Sequence, residues 1–149
     1  MPRKTDRRTF IRDTGMSLAA LALATHASGC DGGTSVPPPP QNGVEINGNR
    51  LRLDISHPDV AGLTASGGFF VFQSFGAIVI NVGNDTYRAF SSVCTHDGCT
   101  VSQYNGTRMR CPCHGAEFTR EGAVQKGPAT RALPEFPVTR SGNVLEVAK

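Results

Sequence analysis

The segment SSVCTHDGCTVSQYNGTRMRCPCHGAEF, residues 91–118, holds four of the chain's five cysteines and two of its four histidines. They fall into two boxes, Cys94-x-His96 followed by Cys99, and Cys111-x-Cys113-His114. Thiols and imidazoles grouped this densely are the donor set of a metal site, and two loops that must converge on one centre constrain everything folded around them. Two cysteines and two histidines could hold zinc tetrahedrally, but zinc alone leaves two cysteines without a role. If the first cysteine of each box binds metal, the ligands are Cys94, His96, Cys111 and His114, and the remaining pair is Cys99 and Cys113. In an exported, oxidising compartment a leftover pair is expected to form a disulfide.

Export is suggested by the first thirty residues. A basic front, the weakly apolar run Gly15–Ala24 and then small residues have the layout of an export signal. The run is well short of the roughly 20 residues a membrane-spanning helix needs. Arg7-Arg8-Thr9-Phe10-Ile11-Arg12 resembles the twin-arginine signal, with Asp6 where Ser or Thr is usual. Ala27-Ser28-Gly29-Cys30 is similar to a bacterial lipoprotein cleavage box, although Ala27 replaces the usual Leu. That makes Cys30 a lipidation candidate and accounts for the odd fifth cysteine. The alternatives are cleavage near Ala27 or retention of the leader as an anchor. Residues 31–43 contain four consecutive prolines and read as a semi-rigid tether, extended at about 3.1 Å per residue. The expected organisation is a signal at 1–30, a tether at 31–43 and a folded domain at 44–149.

The net charge of +3 belongs to the leader, where residues 1–29 hold five basic and two acidic residues. The remaining chain has ten of each and is neutral, which removes any basic-surface argument for nucleic-acid binding. Seventeen glycines and ten prolines predict short strands and many turns. VEINGNRLRLDI reads as a hairpin with Val44, Ile46, Leu51, Leu53 and Ile55 alternating. GGFFVFQ and AIVINV read as strands joined by Ser74-Phe75-Gly76, TYRAFSSV follows an Asn84-Asp85 turn, and FPVTRSGNVLEVA reads as a closing hairpin. The expected fold is all-β, a small barrel or sandwich with an inserted loop-rich tip carrying the boxes. Phe69, Phe70, Phe72 and Phe75 are expected in the core, and His57, Arg108, Arg110 and Glu117 in solvent.

C-T-H-x-G-C at 94–99 and C-P-C-H-G at 111–115, with fourteen residues between His96 and Cys111, resemble the Rieske iron–sulfur proteins. GPATRAL at 127–133 is similar to that family's Gly-Pro-Ala loop. The resemblance covers about residues 88–135. It implies a Rieske-type 2Fe-2S cluster, with Cys94 and Cys111 on one iron and His96 and His114 on the other. It further implies a Cys99–Cys113 disulfide, His114 as the quinol- or partner-facing ligand, and Thr95 and Leu133 as shields of the cluster. Replacing two thiolates by neutral imidazoles removes negative charge from the cluster and raises its potential. The subunits of cytochrome bc complexes typically continue C-P-C-H-G-S-x-Y, whereas this chain has Ala116 and Phe118. Neither can donate the hydrogen bond that serine or tyrosine gives to a cluster sulfur, so both are expected to tune the potential downward.

The function expected from the resemblance is that of an electron-transfer subunit rather than a complete enzyme. The leading expectation is the iron–sulfur subunit of a quinol–cytochrome c reductase-like complex, periplasmic and membrane-tethered, with a cytochrome b or c partner. The alternative is the small subunit of a periplasmic molybdenum oxidase resembling arsenite oxidase. A ring-oxygenase ferredoxin fits less well, because those proteins lack the second cysteine pair. A non-redox zinc module leaves that pair unused.

Overall fold

The computed structural model describes residues 37–149, so the expected export signal, Cys30 and the start of the expected tether lie outside the described residues. Turn chemistry sets the hairpins. Strands β1 (Val44–Asn47) and β2 (Arg50–Asp54) pair around Gly48-Asn49. Strands β3 (Phe69–Phe72) and β4 (Ala77–Gly83) pair with Phe72 opposite Ala77. β4 then turns into β5 (Thr86–Ser91) through Asn84 and Asp85, at φ 51° and 55°. Two consecutive left-handed residues suit the right-handed twist of flanking strands, and Asn and Asp tolerate that region best among residues with a Cβ. The boxes follow, interleaved with β6 (Gln103–Tyr104), β7 (Arg108–Arg110), β8 (Glu117–Thr119) and β9 (Val124–Lys126). The chain closes with β10 (Glu135–Phe136), β11 (Val138–Ser141) and β12 (Val144–Ala148).

These strands form three four-stranded sheets, in the orders β1-β2-β12-β11, β10-β5-β4-β3 and β6-β7-β8-β9. β4 is the shared wall. Its Ala77 and Val79 face a core with Leu51, Leu53, Leu63, Phe75 and Leu145, while Ile78 and Ile80 face a second core with Phe90, Val101, Met109 and Phe118. A strand buried on both faces reads as an unbroken apolar run, which is why Ala77–Ile80 shows no alternation. Each fully buried large side chain contributes about 1.5–3 kcal/mol. The second core carries the metal loops, so the sheet that includes β4 is what holds the site to the rest of the domain.

Several expectations are corrected. The loop-rich insertion also has a sheet of its own, built from strands of two or three residues. Ile46 is 42% exposed because β1 is an edge strand and this residue lies beyond the core. Phe70 is also exposed, its ring stacked on Phe72 at 4.7 Å. A 3₁₀ helix spans Pro58–Leu63, directly after His57. Half-buried His57 caps it, Nδ1 accepting the Asp59 N–H at 3.3 Å, so this histidine is a structural cap rather than a free loop residue. The start of the proline run is also bound: Arg52 donates to the carbonyls of Pro37 and Pro38 at 3.1 and 2.8 Å. Among the described residues no helix is long and apolar enough to cross a membrane.

Candidate metal centre

The first box lies in the loop from β5 to β6 and the second in the loop from β7 to β8. Both are built the same way. The Cys94 N–H donates to the Cys99 carbonyl at 2.8 Å, and the Gly98 N–H to the Cys94 carbonyl at 2.9 Å. Likewise the Cys111 N–H donates to the Ala116 carbonyl at 2.9 Å, and the Gly115 N–H to the Cys111 carbonyl at 3.1 Å. Each loop therefore folds back on its first cysteine, and the residue four positions on must take positive φ, 68° at Gly98 and 74° at Gly115. Glycine is required there because a Cβ resists that conformation.

This local fold sorts the donors. Cys94 and Cys111 carry free thiols and are buried, 3% and 1% exposed, within the second core. His96 and His114 are exposed, and their rings meet edge to face with centroids 4.8 Å apart. Cys99 and Cys113 form a disulfide, Cα–Cα 6.4 Å, that ties the first loop to the second. The Sγ atoms of Cys99, Cys111 and Cys113 all lie within 4.8 Å of one another. Two of them are committed to the disulfide, so the three are not a thiolate metal site while that bond is intact.

Burial pushes the Cys111 thiol above its usual range, and Cys94 beside it acts in the same direction. The backbone N–H groups of Cys113 and His114, aimed at the Cys111 sulfur, oppose this. Metal loading must therefore expel a proton that the folded protein otherwise retains. Soft thiolates on the buried side and imidazoles on the exposed side fit a two-iron cluster with unlike irons, and the same donors could also satisfy a single zinc.

A third segment closes the site. The Thr95 hydroxyl donates to the Arg131 carbonyl at 2.6 Å, and Ala129 and Leu133 are buried in the same core as the two free cysteines. Thr95 thus positions the covering loop by a hydrogen bond. Ala116 and Phe118 are fully buried in that core, and neither carries a hydroxyl. Glu117 is not solvated as expected: it is 9% exposed, and its carboxylate lies 3.2 Å from the Arg108 guanidinium on the neighbouring strand. That pairing could be read only from the β7–β8 register, which adjacent sequence does not reveal.

A small β domain with paired cysteine–histidine loops at one end, braced by a disulfide, is an iron–sulfur redox module in architecture. Residues 59–137 match the Rieske 2Fe-2S domain, and the chain belongs to that family. The cofactor of that domain is a Rieske-type 2Fe-2S cluster. A Haloferax mediterranei protein named for the Rieske subunit of a respiratory nitrate reductase is 49% identical over 64 residues, 42% of this chain and 29% of that protein. The cytochrome b6-f complex iron-sulfur subunit of Gloeobacter violaceus is 29% identical over an alignment covering 91% of this chain and 77% of its own length. Among solved structures, the plasma membrane Rieske protein of Synechocystis PCC 6803 is 38% identical with a TM-score of 0.51, covering 60% of this chain and 93% of that one. The aligned segment spans less than a third of the Haloferax protein.

Proposed function

We propose that this chain is an exported, membrane-tethered carrier in which Cys94 and Cys111 hold one iron and His96 and His114 the other. In this reading it is the iron–sulfur subunit of a quinol–cytochrome c reductase-like complex. The observation that carries the proposal is the sorting of donors: two buried free thiols and two exposed imidazoles with ring centroids 4.8 Å apart, on loops tied by a Cys99–Cys113 brace. The bound cluster supplies one-electron chemistry at a potential raised by its imidazole ligands. The buried cysteines keep water from the sulfur side. The exposed histidines give electrons a short path to the surface, and an outward ring nitrogen can take up or release a proton with the electron. His114 is the proposed contact for quinol or redox partner. Thr95, through the Arg131 carbonyl, keeps the covering loop seated. Iron and acid-labile sulfide in equal amounts, with a paramagnetic reduced state, are expected of purified protein; stoichiometric zinc without sulfide contradicts the assignment.

A second reading has its own support. The Haloferax relative is named for a respiratory nitrate reductase, so service to an oxidoreductase other than a bc complex, such as a periplasmic molybdenum oxidase, is the alternative. Purification of the tagged full chain from native membranes separates the two. Co-isolation of a cytochrome b supports the first, and of a molybdenum-containing subunit the second.

A further inference from the structure

The ten basic residues between 37 and 149 are not used alike. Six arginines, at 50, 52, 88, 108, 120 and 140, form ion pairs with carboxylates. Lys149 lies over an aromatic ring, its Nζ 4.3 Å from the Phe75 centroid. The three that remain are Arg110, Lys126 and Arg131, and among the described residues none is within ion-pair distance of a carboxylate. All three are exposed; Arg110 adjoins the second box, Lys126 directly precedes the covering loop and Arg131 belongs to it.

Their placement follows from register. Gln103, Arg110, Glu117 and Lys126 are successive cross-strand partners, one row across the outer face of β6-β7-β8-β9. Tyr104, Met109 and Phe118 form the buried row beside it. Within the outer row the one acid, Glu117, is already engaged by Arg108. Arg110 immediately precedes Cys111, and its Nη2 lies 3.9 Å from where a Cβ on Gly115 would sit, beside His114. Lys126, two strands away and thus about 10 Å distant, immediately precedes the covering loop. Arg131 belongs to that loop, and its carbonyl is fixed by Thr95. Asp97 in the first box is the opposing exposed charge. The cluster end is therefore cationic although residues 37–149 as a whole are close to neutral, with ten basic and nine acidic residues.

Resting on the redox site proposed above, we infer that Arg110, Lys126 and Arg131 form a docking rim for a redox protein with an acidic face around its own electron-exchanging centre. Unpaired cations beside the second box and on the covering loop attract such a face and orient it, so that the histidines meet the partner's centre. Complementary charge of this kind mainly sets encounter rate and orientation, and salt screens it. An anionic membrane would attract the same charges, but Arg110 directly precedes the second box and Arg131 lies in the covering loop, so the charges adjoin an electron exit that a lipid headgroup cannot use.

The test uses iron-loaded protein with an acidic plastocyanin and a basic cytochrome c as probes, and binding measured by calorimetry at low and high salt. The acidic probe is expected to bind more tightly than the basic one and to weaken with salt. The triple variant Arg110→Gln/Lys126→Gln/Arg131→Gln is expected to bind the acidic probe about tenfold more weakly, with visible spectrum and iron content unchanged. Equal binding by variant and wild type overturns the inference, as does preference for the basic probe. So does salt-sensitive binding to anionic phosphatidylglycerol vesicles without binding to the acidic protein. Iron-free, colourless wild-type protein would instead sink the cluster assignment, while the binding comparison still decides the rim.

Discussion

The double substitution Cys99→Ala/Cys113→Ala removes the brace between the two metal loops. The bond joins residues separated by 14 in sequence. Closing a loop of that size in the unfolded chain is worth about 3 kcal/mol on the chain-entropy model. Alanine is a fair replacement, because Cys113 is exposed and Cys99 only half-buried, so neither truncation opens a large cavity. For a domain of this size each kcal/mol moves Tm by about 4 °C, which predicts a fall of roughly 10–15 °C. Reducing wild-type protein with dithiothreitol is a different perturbation. It frees two thiols that lie within 4.8 Å of Cys111 and can compete with it for iron. Reduced wild type should therefore lose its visible absorbance faster than the alanine variant at the same temperature. Scanning calorimetry at matched iron content reads the first effect and absorbance decay the second. A Tm change of less than about 3 °C, equivalent to under 1 kcal/mol, would refute the stapling argument.

Other substitutions test other links. Ala116→Ser places a hydroxyl in a fully buried position beside the second box, where a cluster sulfur is its expected acceptor. A bond worth about 1–2 kcal/mol raises the one-electron potential by roughly 40–90 mV in protein-film voltammetry, and an unchanged potential contradicts the account. Phe118→Tyr is expected to shift it in the same direction. At Gly122, φ is +85° and a Cβ would meet the Phe90 ring at 2.6 Å. Gly122→Ala should cost roughly 1–3 kcal/mol in urea denaturation, partly by displacing the covering loop whose Leu133 N–H it binds. In iron-free protein the raised Cys111 thiol stabilises the fold while it stays protonated. Stability should hold below the ordinary thiol range, about pH 8.5, and decline as pH rises beyond it. Denaturation curves across pH should show no such decline for the iron-loaded form.

The parts of this fold legible in sequence are those whose cause is local. Asn84-Asp85 and Gly142-Asn143 announce their hairpins because tight turns demand residues that accept positive φ. The boxes announce a metal site because donors must be dense to converge. The third sheet was hidden, since strands as short as Gln103–Tyr104 show no periodicity to read. β12 lies between β2 and β11, a placement set by pairing over about a hundred residues rather than by neighbours. Glu117 looks solvated until the strand register sets Arg108 beside it. Phe70 and Ile46 look like core residues because apolar type predicts burial only in one direction, and edge positions leave some apolar side chains in water.

The central claim, that two thiolates and two imidazoles grip one cluster unequally, is tested most directly by electron–nuclear double resonance on reduced protein carrying ¹⁵N-labelled histidine. Two strong nitrogen couplings are predicted, unchanged by His57→Asn and lost or altered by His96→Cys and by His114→Cys. Absence of nitrogen coupling in iron-replete protein would contradict the account, as would a signal indifferent to either substitution.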